Sequence, residues 1–333
     1  GLFAQTVLLP ALRRVPGVRL RAVATQSGLS ARHVGDRLGF ERCTTDAGEV
    51  LDDPEIDAVV IATRHDVHAS LAAEALRRGK HVFVEKPLAL SADDLRMVLA
   101  AHAVSSRVLV VGFNRRYSPL VRALKEFLGK GRPLALAYRV NAGDVPPDHW
   151  VHDPREGGGR WLGEGGHFID VLQYLTSADP VEVFARRSGA GPSGTSSPPT
   201  AAGATLMVTL TLGDGSTATV LYADGADRAA SRERLEVFGP GLAATLEDYR
   251  HLHLVRAGRV KRIRRPEAAR GHVEELEAWA AAVRGITPPP VAASAYAANT
   301  LAGFAALESC RTGTAVAVDV AAVMPRRRGD WEG

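Results

Sequence analysis

Cysteine and long apolar runs are both scarce in this chain of 333 residues. Its two cysteines, Cys43 and Cys310, lie far apart and form no CxxC pair or Cys/His cluster, which argues against a disulfide framework and a metal site. No apolar run approaches the roughly 20 residues that cross a bilayer, and the first residues do not read as a secretory signal. We therefore expect a cytoplasmic protein with no metal and no membrane partner.

An excess of one charge sign is missing as well, since the formal net charge is only +4. The basic stretches "RVKRIRR" and "PRRRG" lack interleaved aromatic residues and any known nucleic-acid motif. A solvated face explains these stretches better than a binding surface. We expect no nucleic-acid partner.

The first part of the chain alternates apolar strands with helices. The patterns predict strands at 18–25, 58–63, 81–85 and 108–113, and helices at 30–39, 69–79 and 91–105. Near-continuous apolar strands separated by helices are typical of a parallel sheet covered on both faces. We predict an α/β, Rossmann-like, doubly wound domain over residues 1–119, of the kind that binds NAD(P).

The pattern changes after the helical stretch "SPLVRALKEFLG". Long strands follow in series, with "GDGS" as a hairpin turn, which predicts a second, α+β domain over 120–325 with a largely antiparallel, open-faced sheet. The helical stretches at 272–285 and 292–310 are expected to pack the two domains together. An open sheet face in this domain predicts a homo-oligomer.

The opening "GLFA" raises the question of a phosphate-binding turn. Against the pattern G-x-G-x-x-G/A, Gly1 fits the second glycine and Ala4 the third position, so Gly1, Leu2, Phe3 and Ala4 are candidate cofactor-binding residues. A plain chain terminus explains the same four letters equally well. If the rest of the chain confirms the fold, we expect this sequence to start inside the motif, without the first strand and first glycine.

The end of the next strand bears on the choice of cofactor. An acidic residue there would bind the adenosine ribose and repel a 2′-phosphate, but the chain has Thr25, Gln26 and Ser27. These neutral donors are compatible with either NAD or NADP. They are equally compatible with a simple cap for the helix that follows.

Four further stretches, taken together, resemble the Gfo/Idh/MocA family of NAD(P)-dependent oxidoreductases. They are "IATRHDVH" at 61–68, "GKHVFVEKPLA" at 79–89, "VGFNRRYSP" at 111–119 and "GGGRWLGEGGHFID" at 157–170, and their order and spacing agree over most of the chain. The residues of these stretches are most similar to those of a subgroup in which this unit follows a zinc-dependent, alcohol-dehydrogenase-like domain. The resemblance therefore implies a fused upstream domain.

The resemblance implies a site centred on Lys86, the lysine of the EKP motif. It places Lys86 beside the nicotinamide and the substrate, Glu85 on the cofactor side, and His167 opposite the lysine across the substrate. A lysine there can take the hydroxyl proton as hydride leaves a carbinol carbon. Pro87 confines Lys86 to extended backbone angles, and the bond between them is a candidate for the cis form. Asp170, three residues after His167, is expected to orient the imidazole.

One position departs from the family pattern. Many active members carry an aspartate four residues before the histidine, where this chain has Gly163. We consider two interpretations: Glu164 supplies the missing carboxylate as a third catalytic residue, or the site is altered or non-catalytic.

The remaining candidates flank these motifs. Thr63, Arg64, His65, His68 and Asn114 are assigned to the cofactor, and Arg115, Arg139, Asn141, His149 and Trp150 to the substrate together with Lys86 and His167. The sequence thus predicts an NAD(P)-dependent oxidoreductase acting on CH–OH groups of a sugar, polyol or nucleotide-sugar-like substrate. Two alternatives are reduction of a conjugated or imine bond, and a non-catalytic dinucleotide sensor or scaffold within a larger polypeptide.

Overall fold

The computed structural model describes residues 1–129, 131–188 and 205–325. Its strands in this part of the chain are β1 (Ala22–Ala24), β2 (Arg42–Thr44), β3 (Ala58–Ile61), β4 (His81–Val84), β5 (Leu109–Val111), β6 (Ala135–Gly143), β7 (Pro180–Arg187), β8 (Leu206–Leu212), β9 (Thr217–Asp224), β10 (Glu233–Gly239), β11 (Leu242–Glu247), β12 (His251–Arg256), β13 (Arg259–Arg264) and β14 (Val316–Ala317). Its helices are α1 (Leu9–Leu12), α2 (Gly28–Leu38), α3 (Ala47–Asp52), α4 (His68–Arg77), α5 (Ala92–Ser105), α6 (Pro119–Leu128), α7 (Arg160–Thr176), α8 (His272–Val283) and α9 (Ala293–Thr312).

The first five strands are parallel and form two separate groups. Strand β1 pairs with β2, and β3, β4 and β5 form a three-stranded sheet with β4 in the centre. Apolar β4, "HVFV", has three fully buried residues because α4 and α5 cover one face and α1 and α8 the other. The predicted Rossmann-like parallel arrangement is confirmed.

Polar caps set where the helices of this domain begin. The Ser27 hydroxyl accepts a hydrogen bond from the Ser30 amide at the start of α2, and Ser91 accepts one from the Asp94 amide at the start of α5. Gly39 ends α2 with a φ of +78°, a left-handed angle that suits glycine.

The second sheet has nine strands in the order β13-β12-β11-β10-β6-β9-β8-β7-β14. Neighbours are antiparallel except β6 and β9, which run parallel. The predicted hairpin at "GDGS" joins β8 to β9, with Thr211 opposite Thr217. Helices α6, α7 and α9 pack on one face and enclose the larger core. This confirms the predicted, mostly antiparallel sheet.

The last two helices connect the domains. Leu276 and Trp279 of α8 pack with Phe83 of β4, inside the parallel-sheet domain. Helix α9 contributes Tyr296 to that domain's core and Ala302 to the core under the nine-stranded sheet. Among the described helices, none combines the length and the apolar character needed to cross a membrane.

Candidate active site

Lys86 stands directly after the buried strand β4, at its carboxyl end. Two backbone hydrogen bonds of 2.8 Å fix the end of this strand. The Glu85 amide donates to the Ile61 carbonyl, and the Gly112 amide donates to the Val84 carbonyl. The Lys86–Pro87 peptide bond is cis. Lys86 is half-buried, and the described residues offer its ammonium no hydrogen bond. A charged group at a strand end therefore faces the cleft between the domains.

Three histidines surround Lys86: His65, His68 and His167. Burial lowers the pKa of each imidazole, and the nearby Lys86 charge lowers all three further. The pKa of His65 falls to about 3. All three rings are therefore neutral near pH 7, and the Lys86 side chain lies among them.

His167 lies on α7, which begins after the three glycines at 157–159. Its ring meets the Phe113 ring edge-on with 5.9 Å between centroids, and its buried Nδ1 has no hydrogen-bond partner in the described part of the chain. The two acidic residues expected to assist it point elsewhere. The Asp170 carboxylate accepts a 2.8 Å hydrogen bond from Arg116, and the Glu164 carboxylate accepts a 2.9 Å hydrogen bond from Arg160. The structure thus brings neither carboxylate to His167.

His65 and His68 differ in what they contact. The Nδ1 of His65 donates to the Gly157 carbonyl, 2.8 Å away, and its ring meets Trp150 edge-on at 4.7 Å. The buried His68 instead donates from Nδ1 to the Pro87 carbonyl, at 2.8 Å. His68, which the sequence assigned to the cofactor, therefore supports the loop that carries Lys86.

Most residues assigned to the cofactor lie along the ends of the parallel strands. Gly1, Leu2 and Phe3 are exposed and lead into a short π-helix over Ala4–Leu8. The backbone amides at the start of a helix have no partner within it. Gln26 and Ser27 are exposed at the end of β1, as is Thr63 after β3. Open amides and neutral side chains of this kind fit a dinucleotide with two phosphates and a ribose.

Glu85 and Asn114 are buried members of that set, as are His65 and His68. Burial raises the pKa of Glu85 to about 7, and its carboxylate lies against Gly112, where an added Cβ would be 3.0 Å from Oε1. The Asn114 side chain donates to the Arg270 carbonyl at 2.9 Å, which joins the end of β5 to the segment before α8.

Three residues assigned to the substrate are engaged elsewhere. Arg115 is buried and donates two 2.9 Å hydrogen bonds to Glu233. Arg139 donates to the Ser231 carbonyl and hydroxyl, and Asn141 donates to the Asp227 carbonyl. These hydrogen bonds stabilise the second domain and its contact with the first. The Arg115 charge adds to burial in lowering the pKa of His167.

His149 and Trp150 line an open pocket of about 790 Å³ between the domains, together with Arg64, Asp148, Asp153 and Glu156. Arg64 pairs with Glu156, and its guanidinium lies 5.3 Å from the centre of a Trp150 ring. A second cavity, of about 20 Å³, is lined by Lys86, Phe113 and Asn299. The three histidines of lowered pKa converge at Lys86.

Sequence reasoning missed His272 at the start of α8. Burial lowers its pKa to about 4, and its ring lies 5.9 Å from that of Phe3. The charge of His272 is one of those that lower the pKa of His167, so the two are close. A lone histidine after Gly271 gives no sequence signal, because only the fold brings α8 to the cleft. Among the described residues, no group of three or more His, Cys, Asp or Glu is arranged to hold a metal ion.

Two family models match the chain. The model for the Gfo/Idh/MocA oxidoreductase family with an NAD-binding Rossmann fold matches residues 1–113, and the model for the Gfo/Idh/MocA C-terminal domain matches residues 125–241. Together they cover more than half of the chain.

Relatives named as oxidoreductases share part of their length with this chain. Oxidoreductase YrbE of Bacillus subtilis, described as uncharacterized, is 29% identical over 244 residues, which are 72% of this chain and 69% of that protein. The scyllo-inositol 2-dehydrogenase (NAD(+)) of the same organism is 31% identical over 172 residues, 51% of this chain and 49% of the relative. The chain thus matches about half to two thirds of these relatives.

Solved structures share the fold. A levoglucosan dehydrogenase, in complex with NADH and levoglucosan, superposes with a TM-score of 0.79 at 22% identity, over 96% of this chain and 97% of that one. At this identity the likeness concerns the fold alone.

Proposed function

Because the chain belongs to the Gfo/Idh/MocA family of oxidoreductases, we propose that it is an NAD(P)-dependent dehydrogenase or reductase acting on CH–OH groups. Its substrate is a sugar, polyol or nucleotide-sugar-like molecule. Hydride moves between a carbinol or carbonyl carbon of that substrate and the nicotinamide. The observation that supports this most directly is the position of Lys86 among three neutral imidazoles at the end of β4.

The names of the relatives support the substrate class. One acts on scyllo-inositol, and the levoglucosan dehydrogenase structure holds a sugar derivative with NADH. Both molecules carry several hydroxyl groups on a ring. A substrate of this kind needs hydrogen-bond partners for the hydroxyls that do not react, and the neutral histidines can provide them.

Each residue has a defined part in the proposed reaction. Lys86 exchanges a proton with the reacting oxygen, as base in oxidation and as acid in reduction. His167, buried in the same cleft, binds that oxygen and keeps water away from it. The dinucleotide supplies the hydride chemistry, and its contacts are assigned to Gly1–Ala4, Thr25–Ser27 and Glu85.

Replacement of Lys86 by methionine tests this assignment. We expect Lys86→Met to lower kcat by about 100-fold or more, because the proton loses its acceptor, while the Kd for NAD(P)H changes by less than about 3-fold. Turnover is followed by nicotinamide absorbance with scyllo-inositol, myo-inositol and levoglucosan as first substrates. The control is Lys261→Met, which removes an exposed lysine on β13.

Two results would count against the proposal in different ways. An unchanged kcat in Lys86→Met would remove Lys86 from the acid/base role. Tight NAD(P)H binding without turnover of any sugar or polyol would favour the sensor or scaffold alternative. The glycine at position 163, in place of the aspartate of many active members, is compatible with that alternative.

We also propose that the protein forms a homo-oligomer through the face of the nine-stranded sheet that α6, α7 and α9 leave uncovered. Phe184 and Met207 are 38% and 55% exposed, on adjacent strands β7 and β8. Burial of such side chains between two copies would stabilise the assembly. Met207→Lys should reduce the mass measured by sedimentation, whereas an unchanged mass would contradict the proposed interface.

A further inference from the structure

Gly163 and His65 contact each other across the domain boundary. A Cβ added to Gly163 would lie 2.9 Å from Cε1 of His65 and 3.6 Å from its Nδ1. The first distance is shorter than real Cβ contacts. The imidazole of His65 therefore uses the space that a side chain at position 163 would need.

The His65 ring is held on several sides. Its Nδ1 donates to the Gly157 carbonyl, Trp150 meets it edge-on, and the His68 ring lies 5.6 Å away. Because a carbonyl only accepts, Nδ1 must carry the proton of the neutral ring. The second nitrogen, Nε2, is then left with a lone pair and can only accept.

Nε2 of His65 is open to a ligand. It has no hydrogen-bond partner among the described residues, and it is not one of the nitrogens sealed away from solvent. Nε2 is bonded to Cε1, the atom nearest Gly163, so it lies beside the first turns of α7. Gly163 and His167 are four residues apart and share one face of that helix. Nε2 of His65 and the His167 ring are thus both next to this face of α7.

We propose that His65 is a specificity-determining residue whose Nε2 accepts a hydrogen bond from a non-reacting hydroxyl of the substrate, and that Gly163 is required because it leaves room for the ring. The inference rests on the proposed function as a sugar or polyol oxidoreductase. It narrows the substrate to one with a hydroxyl group near the reacting carbinol carbon. It also gives Gly163 a role, since the absent aspartate is replaced as an acceptor by an imidazole from the other domain.

The first test compares a polyol that is turned over with its monodeoxy analogues. A site that binds a hydroxyl discriminates against an analogue that lacks it, so one analogue should show a kcat/KM about 10- to 100-fold below that of the parent. His65→Phe keeps a ring but has no lone pair. This variant should lower kcat/KM for the parent by a similar factor, mainly through KM, and should lose the discrimination.

The second test uses the steric relationship. Gly163→Ala should lower kcat/KM about 10-fold or more in the otherwise unchanged protein, because the new methyl group displaces the His65 ring. In a His65→Ala background the same change should have an effect below about 3-fold, because the ring is gone. Alanine favours a helix over glycine, so Gly163→Ala is expected to fold. Gly213→Ala, between β8 and β9, is the control, because its Cβ would meet Val181 at an ordinary 3.6 Å.

The outcomes separate this inference from the function on which it rests. If no sugar or polyol is turned over by a protein that binds NAD(P)H, both are overturned. If turnover is found but His65→Phe discriminates among the analogues as the unchanged protein does, only the role of His65 is overturned. Equal effects of Gly163→Ala with and without His65 would overturn the steric requirement.

Discussion

The Nδ1 atom of His68 lies 2.8 Å from the carbonyl oxygen of Pro87 and ties the start of α4 to the loop that carries Lys86. His68 is 1% exposed, and burial is the main cause that lowers its pKa. A neutral ring with its proton on Nδ1 fits this hydrogen bond. His68 therefore braces the residue that follows Lys86.

We predict that His68→Ala lowers kcat about 10-fold with little change in the Kd for NAD(P)H, because Lys86 loses its fixed direction. His68→Asn should recover part of that loss, since its amide can still donate to the Pro87 carbonyl. The measurement is steady-state kinetics beside a cofactor titration, with His33→Ala, an exposed histidine on α2, as control. An alanine variant with unchanged kcat, or an asparagine variant no better than alanine, would contradict this role.

The buried pair between Arg115 and Glu233 should be a large contributor to stability. Glu233 also accepts a 2.8 Å hydrogen bond from Tyr138, and both charged groups are sealed from water. Glu233→Gln leaves the guanidinium buried without its counter-ion, so the free energy of unfolding should fall by about 3 kcal/mol or more. Denaturant unfolding measures this loss.

An exposed pair serves as the control for that measurement. Glu308 pairs with Arg311 on α9, and their side chains are 46% and 68% exposed. Glu308→Gln should cost less than about 1 kcal/mol, because water screens the pair. Equal losses in the two variants would show that burial does not govern the contribution of the Arg115–Glu233 pair.

The stability of the protein should depend on pH through Glu85. Burial raises the pKa of Glu85 from its ordinary 4.5 to about 7, the Lys86 charge opposes the rise, and Glu275 is the neighbouring buried acid. The folded state therefore holds this proton more tightly than the unfolded state. The contribution of Glu85 to the free energy of unfolding is therefore fully present below pH 4.5 and is lost as the pH rises through 7.

Glu85→Gln removes this dependence, because an amide does not titrate in that range. The free energy of unfolding of the unchanged protein, relative to the variant, should decrease between pH 4.5 and pH 8 by on the order of 3 kcal/mol. Denaturant unfolding at a series of pH values gives both curves. Parallel curves would mean that Glu85 does not titrate in this range.

Gly271 should tolerate no side chain. Its φ is +86°, and an added Cβ would lie 2.6 Å from the Asn114 carbonyl oxygen and from the Ser118 amide nitrogen. Gly285 is a matched control, with a φ of +69° and nothing within 4 Å of an added Cβ. Gly285→Ala should lower the free energy of unfolding by about 1–2 kcal/mol through backbone strain alone. Gly271→Ala should lower it by more than about 4 kcal/mol, because the backbone atoms that the new Cβ would meet cannot move aside. Thermal or denaturant unfolding checks this difference, and similar losses would contradict it.

Local sequence patterns predicted the elements around the site well. The apolar run before Glu85 is β4, the serine-capped pattern at 91–105 is α5, and "GDGS" joins β8 and β9. Each of these elements is specified by a repeat of apolar residues, a capping residue or a turn motif that lies within a few residues. The short strand β2 and helix α3 were not predicted, although Asp46 caps the start of α3.

Partners that lie far apart in sequence could not be predicted. Glu164 was predicted to be catalytic and Arg115 to bind the substrate, yet Glu164 pairs with Arg160 and Arg115 pairs with Glu233. The contact of His65 with Gly163 joins residues almost a hundred positions apart, and no spacing rule relates them. The partner with which a charged side chain pairs depends on how the elements pack, and the sequence does not show that packing.

The two arginines that follow Asn114 bear on the construction of chimeras. Arg115 and Arg116 arise from the first domain, but their counter-ions, Glu233 and Asp170, belong to the second. A hybrid that joins residues 1–119 to the second half of another family member must therefore import both acids. Without them it would bury two unbalanced cations at the junction, so the halves of this protein are not interchangeable modules even though each has its own core.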